Sequence, residues 1–147
     1  MKVKEVMTPK VIRISPEETA AVAARTLTHY NIGVLPVCGA DGNVCGVLTD
    51  RDIVTRCLAT GHRPEDTPVQ AIMTNTVISA RPDMDVTAAA SLMARQQVRR
   101  LPVVDRGNLC GVVSLGDLSR QEQSAPDATD ALAEISSNVA DGGKRYF

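Results

Sequence analysis

The chain has 147 residues, a formal net charge of −1 and 44% hydrophobic residues, a balance typical of one globular domain or two small ones. This composition argues against nucleic acid as a partner. There is no basic excess to neutralise phosphates, and Tyr30 is the only aromatic residue before the last two positions. No apolar run approaches the roughly 20 residues of a membrane helix, and the start lacks an apolar leader. We expect a cytoplasmic protein without a membrane partner.

The cysteines and histidines do not form a pattern that holds a metal. No two cysteines have C-x-x-C spacing, and neither histidine has the spacing of a metal ligand or follows a candidate nucleophile. We therefore expect buried structural thiols, no metal, no catalytic residue and no obligatory cofactor. The residues concerned are Cys38, Cys45, Cys57, Cys110, His29 and His62.

The sequence is one pattern written twice. Three landmarks of the first half return in the second half, two of them at an offset of 66 residues and the third at 65. The second copy is therefore one residue shorter between its second and third landmarks. The difference falls between two apolar runs, at Asp-Gly and Arg-Gly steps typical of hairpin turns, so we expect it to change only a loop. The pairs are Met7-Thr8 and Met73-Thr74, Leu35-Pro36-Val37 and Leu101-Pro102-Val103, and Asn43–Val47 and Asn108–Val112.

Each copy opens with a predicted short strand and a helix. Apolar residues 11–14 and 77–79 predict the strands. In copy one, Ser15 fits a helix N-cap and Pro16 the first helical position, with Glu18 completing a capping box. Pro82 stands at the matching place in copy two. We expect the first helix of each copy to begin there.

A predicted hairpin and a second helix complete each copy. The hairpin strands are residues 34–38 and 44–48 in copy one, and 101–104 and 109–113 in copy two. The second helices begin near Thr49 and Ser114. Each copy therefore has the order β-α-β-β-α, a mixed α/β (α+β) fold.

Turn residues and composition give the predicted boundaries. Copy one covers residues 3–60, a Pro- and Gly-containing linker covers 61–68, and copy two covers 69–120. The remaining residues 121–147 form a polar tail, with a short helix predicted at 130–135.

The most specific segment is Gly, two apolar residues, Thr or Ser, and Asp three positions later. It occurs at Gly46 and again at Gly111. One interpretation is a helix cap alone, since Thr or Ser with an acidic residue at the third position is a capping box. The other is a ligand site, in which free backbone N–H groups at the helix start meet an anion and the carboxylate accepts hydrogen bonds from a ribose diol. The spacing leaves both open.

These motifs, in this order and in two copies, resemble the cystathionine-β-synthase (CBS) domain in tandem, an arrangement called a Bateman module. The resemblance covers residues 3–120. It implies two β-α-β-β-α repeats packed through their sheets about a pseudo-twofold axis. It also implies adenine-nucleotide binding in two clefts between the repeats, and association of two modules into a homodimer.

The resemblance also implies site residues, each cleft drawing on both copies. One cleft would use Thr49 and Asp52 for ribose with Thr74, Ile78, Val98, Arg99 and Arg100 of copy two. The other would use Ser114 and Asp117 for ribose with Thr8, Ile12, Ile32 and Gly33 of copy one.

The two clefts are predicted to be unequal. Copy two has Arg99 and Arg100 before its Leu-Pro step, where copy one has Gly33 and Val34. Guanidinium groups bind phosphate through charge-assisted hydrogen bonds, so the resemblance favours a tighter site at Asp52 with the two arginines and a weaker one at Asp117. A solvated helix end is the alternative role for the arginines.

The resemblance thus implies a stand-alone regulatory sensor that binds AMP, ADP or ATP and acts on an effector protein that the sequence does not identify. One alternative is an S-adenosylmethionine-type ligand, and another is an interaction module without a ligand. An enzyme ranks behind these, because no catalytic constellation is visible. With no aromatic ring available for stacking, an adenine would lie between aliphatic side chains and contact backbone groups.

Overall fold

The structure, a computed structural model, describes residues 1–121 and 124–142, with the side chains of 138–142 outside the description. No helix among the described residues combines the length and the apolar character needed to cross a membrane. The helices are α1 (Ala20–Tyr30), α2 (Asp50–Asp52, continued by a π-helical segment Ile53–Leu58), α3 (Val86–Gln96), α4 (Leu115–Ser119) and α5 (Ala125–Gly142). The strands are β1 (Val34–Cys38), β2 (Val44–Thr49), β3 (Arg100–Asp105) and β4 (Asn108–Ser114).

The chain forms two compact units that do not coincide with the sequence copies. Each copy's opening segment belongs to the unit of the other copy. Unit N comprises Ile12–Val77 and Arg106–Leu109, and unit C comprises Met1–Val11, Ile78–Asp105 and Cys110–Phe147.

Backbone hydrogen bonds hold each copy's opening segment in the unit of the other copy, and we call these the exchanged segments. In unit C, the Thr8 N–H donates to the Val112 carbonyl at 2.8 Å. In unit N, the Thr74 N–H donates to the Val47 carbonyl at 2.9 Å. The predicted ranges 3–60 and 69–120 therefore describe repeats of sequence, whereas the compact bodies are built from parts of both.

Unit N is organised around the antiparallel hairpin β1–β2, with Leu35 opposite Leu48. Both side chains are fully buried and pack with Ala23 and Leu27 of α1. Because successive residues of a strand point to opposite faces, one face of the hairpin supplies much of this core.

The first helix begins later than the sequence predicted. Thr19, not Ser15, caps α1, and its hydroxyl accepts the Val22 N–H at 3.2 Å. Ser15 instead donates to the Glu17 carboxylate, and the chain turns once before the helix. Ser15 does not cap the helix because the Ala20 N–H donates to the Thr67 carbonyl at 2.8 Å, which fixes the helix start at Ala20.

The predicted strands at 11–14 and 77–79 are wrong. Only Ile14 and Ala80 make bridges, each a single parallel one, so the two sheets are two-stranded. The Ile14 N–H donates to the Pro36 carbonyl, and its own carbonyl accepts the Cys38 N–H. The chain passes from one unit to the other at Ile12 and again at Ile78, which leaves little length for pairing within either unit.

Unit C repeats the arrangement with α3 and the hairpin β3–β4. The two-residue turn between these strands, which belongs to unit N, has Arg106 at φ 51° and Gly107 at φ 86°, the positive values of a type I′ turn. In copy one, five residues, 39–43, join the strands instead. The one-residue difference lies within the hairpin, but it does not change the loop alone, because β3 and β4 are each one residue longer than β1 and β2.

The tail forms a longer helix than predicted. In place of a short helix at 130–135, α5 has 18 residues and packs against α3 and α4. Ala128, Ala131 and Ile135 are buried, a spacing that places them on one helix face. Residues 122–123 and 143–147 of the predicted tail lie outside the described residues.

Candidate functional site

Both Gly-x-x-Thr/Ser-x-x-Asp motifs form complete capping boxes. In copy one, the Asp52 N–H donates to the Thr49 hydroxyl at 3.1 Å, and the Thr49 N–H donates to Asp52 Oδ2 at 3.0 Å. Ser114 and Asp117 make the same two bonds, at 3.0 and 2.8 Å. The capping interpretation is confirmed, and each carboxylate is held in a fixed orientation at the start of its helix.

Each carboxylate retains capacity for a ligand. Asp52 Oδ1 lies 3.7 Å from Arg56 Nε, and Asp117 Oδ1 accepts a hydrogen bond from Arg120. A carboxylate offers about four acceptor positions, so the capping bond and the arginine leave roughly half of them unused. The side chains are 11% and 15% exposed, so both carboxylates are largely buried.

The first backbone N–H group of α2 and that of α4 both have acceptors within the protein, which contradicts the expectation of free backbone donors. The Asp50 N–H donates to the Gly33 carbonyl at 3.2 Å, and the Leu115 N–H donates to the Arg99 carbonyl at 2.8 Å. The capping boxes use those of Asp52 and Asp117. The first and third backbone N–H groups of each helix are therefore used within the protein.

Unit C contains a cavity of about 520 Å³ with a cationic lining. Among the described residues, the guanidinium groups of Arg99 and Arg100 have no carboxylate partner, and Arg120 is paired with Asp117. Residues that line the cavity include Arg99, Arg100, Arg120, Ser114 and, from α5, Thr129 and Leu132.

Unit N contains a cavity of about 420 Å³ that is largely apolar. It lies between α1 and α2, lined by Leu27, Ile32, Ile53 and Val54, among others. Asp50 is the one charged lining residue. The two copies thus produce one cationic cavity and one largely apolar cavity with a single carboxylate.

The predicted site residues divide between the units. Unit C holds Thr8, Ile78, Val98, Arg99, Arg100, Ser114 and Asp117, and unit N holds Ile12, Ile32, Gly33, Thr49, Asp52 and Thr74.

Within its own unit, each motif meets several predicted residues. Thr8 pairs with Val112, two residues before Ser114, and Thr74 pairs with Val47, two residues before Thr49. Ser114 also lines the cavity of unit C together with Arg99 and Arg100. The motif and the arginines at this cavity therefore belong to the same copy.

The predicted pairing of Arg99 and Arg100 with Asp52 stays a prediction. So do the pairing of Ile78 and Val98 with Asp52 and that of Ile12, Ile32 and Gly33 with Asp117. The arrangement within unit C adds a second candidate for the two arginines, beside Ser114, because the Arg99 carbonyl is tied to the start of α4.

Sequence reasoning missed Arg120 and the residues of α5. Arg120 stands three positions after Asp117, a helical spacing that brings opposite charges together, so the sequence carried a usable signal. Thr129 and Leu132 lie outside the repeats, and only packing brings them to the cavity.

The cysteines are more varied than predicted. Cys38 and Cys57 are buried, Cys110 is half-buried and Cys45 is exposed, so the expectation of burial is wrong for Cys45. Burial raises the pKa of the Cys38 and Cys110 thiols, which lowers their reactivity. The described part of the chain contains no group of His, Cys, Asp and Glu side chains able to hold a metal ion.

Known proteins are similar to this chain. The CBS domain family matches residues 3–59 and 69–123. The CBS domain-containing protein YhcV of Bacillus subtilis is 43% identical over 134 residues, which cover 91% of this chain and 94% of the relative.

Solved structures agree in fold. The conserved CBS domain protein TA0289 of Thermoplasma acidophilum superposes with a TM-score of 0.77 at 27% identity, covering 93% of this chain and 77% of that one. The CBS domain pair of protein MJ0100, solved in complex with 5-methylthioadenosine and S-adenosyl-L-methionine, has a TM-score of 0.71 at 30% identity, covering 82% and 94%. The mixed α+β fold of two CBS repeats is confirmed, and the chain belongs to the CBS domain family as a tandem pair.

Proposed function

We propose that this chain is a stand-alone regulatory module that binds an adenine nucleotide, AMP, ADP or ATP, and has no catalytic activity of its own. The observation that carries the proposal is a cavity lined by Ser114 and by two guanidinium groups that have no carboxylate partner among the described residues. The MJ0100 pair, a relative in fold and sequence, was solved with two adenosyl ligands, which supports a ligand of this class.

The residues have distinct roles in this proposal. Asp52 and Asp117 accept hydrogen bonds from ribose hydroxyls, since the capping bonds orient both carboxylates and leave acceptor positions unused. Arginine binds the phosphates. The adenine lies against aliphatic side chains, because Tyr30 sits at the end of α1, half exposed, with its ring edge-on to His29.

Regulation follows from linkage. A ligand that binds one conformation more tightly than another shifts the population toward it, and an effector protein that distinguishes the two conformations responds. We place the protein in the cytoplasm, whose reducing conditions suit four free thiols.

The test is calorimetric titration of the full chain with AMP, ADP, ATP and S-adenosylmethionine. Asp52→Asn and Asp117→Asn keep a carbonyl acceptor for the cap but remove the charge, and their unfolding curves without ligand serve as the folding control. We expect the nucleotides to bind and each substitution to weaken binding at one site. Equal losses from both substitutions would contradict the predicted asymmetry between the sites.

The titration also separates the alternatives. Binding of S-adenosylmethionine alone would favour the adenosyl-sensor alternative. No binding of any of the four compounds would favour an interaction module without a ligand, in which the motifs serve only as helix caps. ATP hydrolysis that is lost in Asp52→Asn would contradict the absence of catalysis.

We also propose a homodimer formed through the helices of unit N. Tyr30, Val54 and Leu58 are about half exposed there. On unit C, the chain's own α5 covers the corresponding helices, α3 and α4, which indicates that this kind of helix face requires a cover. A second copy would supply it for unit N.

Light scattering after size-exclusion chromatography tests the dimer. We expect the wild-type chain to be dimeric and Val54→Glu to shift it toward monomer, with Ala133→Glu, an exposed change on α5, as the matched control. A monomeric wild-type chain at all concentrations would overturn the dimer.

A further inference from the structure

We propose that helix α5 and Arg120 complete a polyphosphate-binding site in unit C, so that docking of α5 and binding of a chain of two or three phosphates stabilise each other. The inference rests on the proposed function, since it names the part of the nucleotide that this cavity takes. It goes beyond the family pattern because α5, Ala125–Gly142, lies outside the matched residues 3–59 and 69–123.

Charge is the first support. Three arginines line the cavity, and no Asp or Glu is among the lining residues. Arg120 is paired with Asp117, whereas Arg99 and Arg100 have no carboxylate partner among the described residues. Clustered cations repel one another, and a multiply charged anion relieves that repulsion while accepting several charge-assisted hydrogen bonds.

Size is the second support. The cavity measures about 520 Å³, within the roughly 300–1,000 Å³ of ordinary ligand pockets. It is large enough for a phosphate chain. An adenosyl ligand without phosphates would leave the arginines unmatched, so the lining favours ADP or ATP over S-adenosylmethionine.

The third support is how α5 is attached. The buried Ser124 hydroxyl donates to the Leu118 carbonyl at 2.7 Å, which ties the start of α5 to α4. Arg120 lies between these two residues in the chain. Ala128 is buried and also lines the cavity, with Thr129 and Leu132 beside it. Displacement of α5 would therefore open one wall of the cavity.

The experiment titrates the full chain with inorganic tripolyphosphate, and separately with ATP, by calorimetry. Arg120→Gln removes one cation, and Leu132→Glu places a carboxylate in the wall at a side chain that is 43% exposed, so the core is left intact. Arg95→Gln on α3 and Ala133→Glu on α5 make the same charge changes at exposed positions that do not line the cavity.

We expect tripolyphosphate affinity to fall about tenfold in Arg120→Gln, which corresponds to losing one hydrogen bond to a charged group, and further in Leu132→Glu. The two control variants should change it less than about twofold. Tripolyphosphate should also slow proteolytic cleavage of α5 in the wild-type chain, since it binds the docked form.

The outcomes separate this inference from the proposed function. Unchanged tripolyphosphate affinity in both cavity variants, or no tripolyphosphate binding at all, overturns the site at α5, even if nucleotides bind with a requirement for Asp117. Tripolyphosphate binding that depends on Arg120 and Leu132, with no nucleotide bound, supports the site and overturns the proposed function.

Discussion

Unit N and unit C have related sequences and the same capping boxes, yet they differ in what covers their helices. At matching positions, Thr28 of α1 is exposed, whereas Ala94 of α3 is buried. Val54, beyond α2, is 55% exposed, while α4 packs against α5. A repeat of this kind leaves one helix face exposed, as in unit N. In unit C the additional helix α5 covers that face, so its residues become part of the core.

The charge of the cavities follows the same division. Unit C lines its cavity with three arginines, and unit N lines its cavity with apolar side chains and Asp50. These substitutions and α5 therefore give the two cavities different charge and polarity.

The largest expected difference between the two units is in their tolerance of a charged side chain, which should be lowest beneath α5. Ala131 is 2% exposed, so Ala131→Asp should lower the free energy of unfolding by about 3–5 kcal/mol, the usual cost of an uncompensated buried charge. In the monomeric Val54→Glu background, Thr28→Asp on the open face of unit N should change it by less than about 0.5 kcal/mol. Urea denaturation measures both. Equal losses would mean that the two faces do not differ in cover.

A second prediction concerns what the units share, the docking of the exchanged segments. A Cβ at Gly46 would lie 2.6 Å from Met73 Sδ, and one at Gly111 would lie 2.6 Å from Met7 Sδ, with a Thr carbonyl close behind in both. Gly46→Ala and Gly111→Ala should therefore each cost about 1–3 kcal/mol, as overpacking does.

Gly33→Ala is the control for these substitutions, since its added Cβ makes only ordinary contacts, 3.8 Å from the Asp50 carboxylate. Thermal unfolding provides the measurement. A loss at one glycine without the other would show that the segments are not held in the same way.

The caps should be equivalent in stability. Thr49→Ala and Ser114→Ala each remove the hydroxyl that accepts the third-position N–H, for an expected loss of about 1 kcal/mol. Ser91→Ala, an exposed change within α3, is the control. If chemical denaturation shows unequal losses, the two capping boxes differ in strength despite their matched geometry.

The smallest effect is a pH dependence confined to unit C. Lys2 pairs with Asp85 there, where the equivalent bridge in unit N joins the uncharged Thr19 and Pro68. The hydrogen bond from Lys2 lowers the pKa of Asp85 below its ordinary value of 3.8. A lowered carboxyl pKa contributes stability that is present above the unfolded-state pKa and is lost as pH falls through the folded-state pKa.

Lys2→Met should therefore slightly destabilise the protein near neutral pH and make no difference once Asp85 is protonated. Denaturation series at several acidic pH values measure this. Because both side chains are exposed, we expect a small effect that added salt reduces further. A loss that persists in strong acid would have another cause.

Much of the local structure could be predicted from sequence. The bounds of β1, the positions of both hairpins and the caps at Thr49 and Ser114 follow from alternation, turn residues and capping spacing, which act over a few residues. The start of α1 could not be predicted, because Ser15 and Thr19 both fit a cap and the distant Thr67 carbonyl decides between them.

By itself the sequence determined the repeat, the order of elements, the family and the motifs, since each depends on residue types at short spacing. Tertiary structure decided which segments share a unit, that the first backbone donors of both motifs are used internally, and that α5 joins Arg99, Arg100 and Arg120 around one cavity. These features depend on contacts between residues far apart in the chain, whose geometry is set only when the core packs.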